Sequence, residues 1–186
     1  MNRTKNQSTT SKIDPLTSNV TYFTESNPQV SVCMKVVNKS PNELPKMATE
    51  GSAAMDVRAW CRNEHFMGDC AEWDEVSKCI RIFSGGRAAI PTGLYFDIPK
   101  GYELQIRPRS GMAIKQGIEA HFGTIDSDFK NEVCVILFNI SSEPFEVHTG
   151  DRIAQLLLNK LSPVQFEEVD ELEQTNHTGF GSSGTK

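Results

Sequence analysis

After residue 78 the chain becomes a succession of short apolar segments: CIRIF, AAIPTGLYFDIP, YELQIRP, VCVILFNI, PFEVH and RIAQLLLNKL. They are rich in Ile, Val, Leu and Phe, and Gly, Pro, Asn or Ser fills the gaps between them. Such runs are the length of strands rather than helices, and their boundaries carry turn chemistry. Regularly spaced short strands imply an all-β sandwich or barrel. Two further strand-like stretches come earlier, VSVCMKVV from Val30 to Val37 and AAMDVRAW from Ala53 to Trp60. Only RSGMAIKQ, Arg109 to Gln116, reads as a short helix.

Polar segments bound this region. Residues 1–29 are rich in Ser, Thr and Asn and read as a disordered arm. Residues 30–172 form the expected β-domain, with 61–80 as a loop-rich insertion holding Trp73. Residues 173–186 end in a Gly- and Ser-rich tail. The 186 residues suffice for one domain with a core and tails. A net charge of -5 gives no general attraction to nucleic acid or anionic membrane. No apolar run approaches the roughly 20 residues of a membrane span. The N-terminus lacks the apolar core of a secretory signal. It is poor in acids, as transit peptides are, but has few Arg and no amphipathic period. Five cysteines, an odd number, suit reduced thiols in a cytosol. Cys61, Cys70 and Cys79 are evenly spaced, yet no CxxC pair accompanies them, so no metal site is expected there.

Three segments carry chemistry. PRSG, Pro108 to Gly111, offers a guanidinium, a hydroxyl and an unshielded backbone N–H, which suit a phosphate or a charge-paired surface turn. GTIDSDFKNEV, Gly123 to Val133, places Asp126 and Asp128 one residue apart. In an extended segment they share a face. They could position a water, meet Mg²⁺, pair with Arg109 or Arg152, or be solvated turn acids. TGFGSSG, Thr178 to Gly184, could wrap phosphates with backbone N–H groups under Phe180, or be a flexible tail. It lacks the GK[ST] of a Walker A loop. Phosphate donors, a carboxylate and an aromatic lid together are what nucleoside triphosphate chemistry needs.

The order of these segments resembles the homotrimeric dUTP pyrophosphatase (dUTPase) family. Its five motifs match SAAMDVRA (Ser52 to Ala59), PRSGMA (Pro108 to Ala113), GTIDSDFKNEV, GDRIAQL (Gly150 to Leu156) and GFGSSG (Gly179 to Gly184). The resemblance implies a distorted jelly-roll β-barrel subunit with one short helix. It implies a homotrimer with shared active sites, and a mobile C-terminal lid that closes from a neighbour. The implied reaction is dUTP plus water giving dUMP and pyrophosphate, which keeps uracil out of DNA and supplies dUMP for thymidylate synthesis. The implied compartment is the cytoplasm, that of the host if the chain is viral, or the nucleus if eukaryotic.

By the same resemblance, Asp126 is the carboxylate that orients and deprotonates the attacking water. Arg109, Ser110, Gly111, Gln155, Ser182 and Ser183 match the phosphate-binding positions. Ala120, His121, Phe122, Gly123, Ile125, Phe129 and Phe180 match the deoxyuridine site. Phe129 stands where an aromatic excludes a 2′-hydroxyl, and the hairpin around Ala120 to Gly123 reads uracil. Asp56, Asp128 and Arg152 are supporting residues. Mg²⁺ arrives on the triphosphate, with no metal held by the protein alone.

The match departs from the family at Ala54, Met55 and Asn131. The main departure is Thr175, where the family has an arginine that grips the terminal phosphate. His177 or Lys186 are candidate substitutes, and weaker binding or slower turnover is expected. The related dCTP deaminase fold needs a glutamate where Ile136 stands. A nucleotide-gated binding or regulatory protein, with a partner on 61–80, is the alternative from another class.

Overall fold

The computed structural model describes residues 32–173, and the expected arm 1–29 lies outside them. Motif five, with Phe180, Ser182 and Ser183, and positions Thr175, His177 and Lys186 also lie outside. The described elements are β1 (Lys35–Asn38), β2 (Met55–Arg58), a 3₁₀ turn (Asn63–His65), β3 (Met67–Asp74), β4 (Cys79–Pro91) and β5 (Leu94–Asp97). They continue with β6 (Tyr102–Arg107), α1 (Ser110–Gln116), β7 (Ile118–Ala120), β8 (Gly123–Ile125), β9 (Cys134–Asn139), β10 (Phe145–Val147) and β11 (Arg152–Lys160).

All strand pairings are antiparallel. One sheet runs β2-β11-β6-β8, a second runs β10-β4-β9-β7 with β3 added on β4, and β1 pairs with β5. Val57, Leu104, Ile106 and Leu156 of the first sheet join Ile80, Ile90, Val135 and Leu137 of the second in one buried cluster. Alternation along the strands supplies these inward residues, as in the pattern of β6, where Leu104 and Ile106 are buried and their neighbours are not. The all-β, jelly-roll-type architecture and the single short helix agree with the expectation from sequence. The helix ends where Gly117 takes a left-handed φ of 64° and its N–H caps the carbonyls of Met112 and Ala113.

Several details differ from the sequence reading. CIRIF and the start of AAIPTGLYFDIP belong to one 13-residue strand. Gly85 and Gly86 bend it without ending it. A Cβ on Gly86 would lie 2.4 Å from the carbonyl oxygen of Cys70, so only glycine lets β3 follow the bend. The stretch 61–80, expected to be loop-rich, contains the eight-residue β3. MGDCAEWD has no β-branched residue, so its strand state comes from the ladder with β4, which propensity does not show. Within VSVCMKVV the described residues Val32 to Met34 are not in a strand, and β1 starts at Lys35.

Among the described residues no helix is long and apolar enough to cross a membrane.

Candidate active site

Motif-one, motif-two and motif-four residues meet at Asp56. Its position on β2 pairs in register with Gln155 on β11, and Gln155 pairs in turn with Arg107 on β6. Oδ1 of Asp56 lies 3.2 Å from Nε of Arg109 and accepts a 3.3 Å hydrogen bond from Nε2 of Gln155. Oδ2 accepts from Nη1 of Arg152 at 3.2 Å. Arg109 also donates through Nη1 to the Arg152 carbonyl at 2.9 Å. One carboxylate thus orients two guanidinium groups and an amide. Arg109 is the N-cap of α1, so Ser110 and Gly111 form the helix's exposed first turn, where backbone N–H groups have no intrahelical partner. Buried Met112 seats that turn on the core.

A cavity of about 350 Å³ opens beside this cluster, lined among others by Arg58, Arg109, Arg152 and Gly150. Sequence reasoning missed Arg58. It faces Arg152 across the β2–β11 ladder and donates through Nη1 to the Gly150 carbonyl at 2.5 Å. Like charges directly opposite repel, so the pair favours an anion between them. The available signal was its place in MDVR, on the same strand face as Asp56.

Asp126 and Phe129 stand elsewhere. β8 ends at Ile125, and the chain turns at once: the Phe129 N–H donates to the Asp126 carbonyl at 3.1 Å. Asp126 and Asp128 therefore occupy turn positions, and the shared strand face expected for them is not formed. The short strand stops because Asp and Ser favour turns over ladders. Asp126, Ile125 and Phe129 line a cavity of about 130 Å³ with Thr124, Val133 and Cys134. Asp126 is exposed and its carboxylate takes no hydrogen bond among the described residues. Asp128 is exposed on the turn and has no ion pair among them. Burial pushes the Cys134 thiol up to about 11, so it stays protonated beside Asp126 at neutral pH.

A clamp holds the far end of that turn. Glu132 lies 2.5 Å from Nη2 of Arg62, and its Oε1 also accepts from the Gly93 N–H at 2.7 Å. The Arg62 guanidinium stacks 3.7 Å above the Trp60 ring. Gly93, at φ 75°, permits the packing, because a Cβ there would lie 2.5 Å from that ring. Thr92 adds a 2.6 Å bond to the Val133 carbonyl. Arg62 and Glu132 were also missed from sequence.

Ala120 to Gly123 is not a hairpin. β7 pairs with β9, whereas β8 pairs with β6, so the segment crosses from one sheet to the other. Gly123 makes this crossing tight, since a Cβ there would lie 3.1 Å from the Ile106 side chain. Ala120 is buried. Phe122 is 61% exposed under the Arg107 guanidinium, 5.1 Å from its ring centroid. His121 packs edge-on against Phe138 and lines a separate cavity of about 400 Å³. One chain therefore brings together Ile125, Asp126 and Phe129, and separately Asp56, Arg109, Arg152 and Gln155. It does not unite the two groups.

The same fold occurs in solved structures. A mutant dUTPase of Staphylococcus bacteriophage 80alpha with dUpNHpp has a TM-score of 0.65 at 18% identity, over 83% of this chain and 99% of that one. A mutant dUTPase from phage phi11 of S. aureus, described with a structural Mg(II) ion, has a TM-score of 0.61 at 16% identity, over 77% and 100%. The chain is thus an antiparallel, jelly-roll-type β protein. The dUTPase family model matches residues 75–184. A deoxyuridine 5'-triphosphate nucleotidohydrolase of Finegoldia magna is 43% identical over 81% of this chain and 98% of its own length. One of Fusobacterium nucleatum is also 43% identical, over 82% and 97%. The chain belongs to the dUTPase family.

Proposed function

We propose that the chain hydrolyses dUTP to dUMP and pyrophosphate, with Asp126 orienting the water that attacks the α-phosphorus. The observation that carries the assignment is the shared cavity. Asp126 and Phe129 bound one turn and line the same small space, one with a free carboxylate and one with a ring. Water adds its oxygen to the α-phosphorus, Asp126 takes a proton from it, and the bond to the β-phosphate oxygen breaks. A carboxylate is a weak base, so positioning and charge stabilisation supply most of the acceleration. Phe129 fills the space a 2′-hydroxyl would need. Ala120 to Gly123, with Ile125, form the deoxyuridine side, and Phe180 covers the base.

Arg109, Ser110, Gly111 and Gln155 hold the phosphate chain, with Ser182 and Ser183 from the C-terminal lid, residues 173–186. Asp56 and Arg152 support them. Arg58 adds a third guanidinium to that cavity. This offsets the threonine at 175, where the family places an arginine. Asp126 and Phe129 line one cavity of the chain and Arg109 and Arg152 another, which supports a homotrimer whose active sites are shared between subunits.

Mg²⁺ fits as a guest of the substrate. Both oxygens of Asp56 are engaged by Arg109, Arg152 and Gln155, so Asp56 itself has no free oxygen with which to hold an ion. Bound through the triphosphate, Mg²⁺ would neutralise its charge. All five cysteines are free thiols, which supports a reducing compartment, and we place the reaction in the cytoplasm.

The test is pyrophosphate release from dUTP, dTTP, dCTP and UTP with Mg²⁺, beside Asp126→Asn. Release from dUTP alone, abolished in the variant, is the expected result. Equal release in the variant would remove Asp126 from the role. Binding of dUTP without any release would leave a nucleotide-gated binding protein.

A further inference from the structure

We propose that Cys79, Glu146 and His148 form a site for one divalent cation of the Zn²⁺ class, which staples the short edge strand β10 to β4. The three residues are far apart in sequence, and the sheet collects them. Val147 of β10 pairs with Ile80 and Glu146 with Arg81, which brings His148 beside Cys79. On the other side of β4, Asp74 pairs with Cys79 and Glu72 with Arg81. Alternation puts these side chains on one face of the sheet.

The geometry suits an ion. Sγ of Cys79, a carboxylate oxygen of Glu146 and a ring nitrogen of His148 all lie within 4.8 Å of one another. Among the described residues this is the one such group. Cys79 is fully buried, while Glu146 and His148 are partly exposed. The sulfur is therefore the floor and the other two groups the rim. Three protein ligands with an outward position for water make a four-coordinate zinc site. Nε2 of His148 lies 3.6 Å from Oε2 of Glu146. That is too long for a hydrogen bond. It is close to the edge of about 3.3 Å in a tetrahedron whose N and O bonds are about 2.0–2.1 Å.

The surroundings support the same reading. Oε1 of Glu146 accepts from Nη2 and Nε of Arg81, at 2.8 and 3.2 Å. This leaves Oε2 for the ion and fixes the carboxylate's orientation, as outer partners of metal ligands do. Arg81 also pairs with Glu72 and Asp74. Three carboxylates thus share one fixed cation, which leaves an excess of negative charge that a divalent ion would offset. A thiol with an imidazole selects a zinc-class ion over Mg²⁺, so the site would not compete for the ion carried by substrate. Glu146 also lines the Arg58–Arg109–Arg152 cavity, and Asp151 accepts from the His148 N–H at 2.8 Å. The staple would steady the turn leading into Arg152.

The test is a Co²⁺ titration of the full chain, stripped with chelator and free of nucleotide and Mg²⁺. The expected result is a near-ultraviolet thiolate-to-cobalt absorption saturating at one equivalent, displaced by Zn²⁺, with a higher Tm for the Zn²⁺ form. Cys79→Ser abolishes the band and Cys134→Ser keeps it. His148→Gln and Glu146→Gln, on the exposed rim, weaken Co²⁺ binding about tenfold or more. No band in the folded wild type, a band surviving Cys79→Ser, or unchanged affinity in His148→Gln would each overturn the proposal. If Cys79→Ser does not fold, His148→Gln decides.

Discussion

Both oxygens of Asp56 are occupied, one by Arg109 and Gln155 and the other by Arg152. Asp126 is exposed on its turn, and among the described residues nothing donates to its carboxylate. The two acids carry the same charge and stand in the same family's motifs, yet their surroundings assign them different work. A carboxylate held by cations on both oxygens fixes the groups around it. A carboxylate without partners contributes little to the fold and can engage a water directly.

The sharpest way to break this comparison is to neutralise each acid without changing its shape. Asp126→Asn is expected to lower pyrophosphate release by about 10²–10⁴-fold, the range for losing a positioned general base. Its Tm should match the wild type, since no folded-state contact is removed. A large drop in Tm would mean that Asp126 also holds the fold.

Asp56→Asn should behave in the opposite sense. Charge-assisted hydrogen bonds are worth about 1.5–3 kcal/mol each, and the amide leaves Arg109 and Arg152 facing each other without a counter-charge. Thermal unfolding should show a destabilisation of about 1–3 kcal/mol. Misplacement of Arg109 should lower kcat/KM by up to about 100-fold. Unchanged stability with lost activity would make Asp56 a direct participant.

How readily each region could be read from sequence follows the same division. The residues around Asp56 lie in three short segments with recognisable residue types, and α1 is announced locally by RSGMAIKQ. The turn at Asp126 was recognisable as chemistry, but its shape was not. Alternation suggested a shared strand face for Asp126 and Asp128, and the end of β8 at Ile125 removes it. The clamp below the turn left no local trace, because Arg62 and Glu132 are 70 residues apart and meet only through the fold. β3 was hidden for the same reason: only Trp73 among its residues favours a strand, and its ladder partner supplies the state. The Ala120–Gly123 crossing looks like a hairpin locally, and only packing on Ile106 directs β8 to the other sheet.

The clamp gives the next test. Arg62 and Glu132 are 21% and 13% exposed, so removing one partner strands a largely buried charge. Arg62→Met should cost about 3 kcal/mol, the low end for breaking a buried pair from one side. Activity should fall with it at temperatures where the protein is still folded, because the Asp126 turn loses its anchor. Replacing both partners, Arg62→Met with Glu132→Leu, should recover much of the stability. If stability returns and activity does not, the clamp positions the turn as well as holding it.

The smallest effect concerns the other end of the same turn. Nζ of Lys130 donates to Oδ1 of Asp97 at 2.8 Å and to the Ser127 carbonyl at 2.7 Å, tying the turn to β5. The ammonium of Lys130 holds the Asp97 carboxyl below its ordinary value of 3.8. A carboxyl whose folded-state pKa is lowered stabilises the fold at pH above its unfolded value. That contribution disappears as pH falls below 3.8 through the lower folded value. The pair is solvent-exposed, so its worth is small and screened by salt. Lys130→Met should therefore lower Tm slightly at pH 6 in low salt, and the difference from wild type should shrink in high salt and as the pH is taken below 3.8. A difference that persists unchanged into acid would mean that the bond to the Ser127 carbonyl, which does not titrate, is what holds the turn.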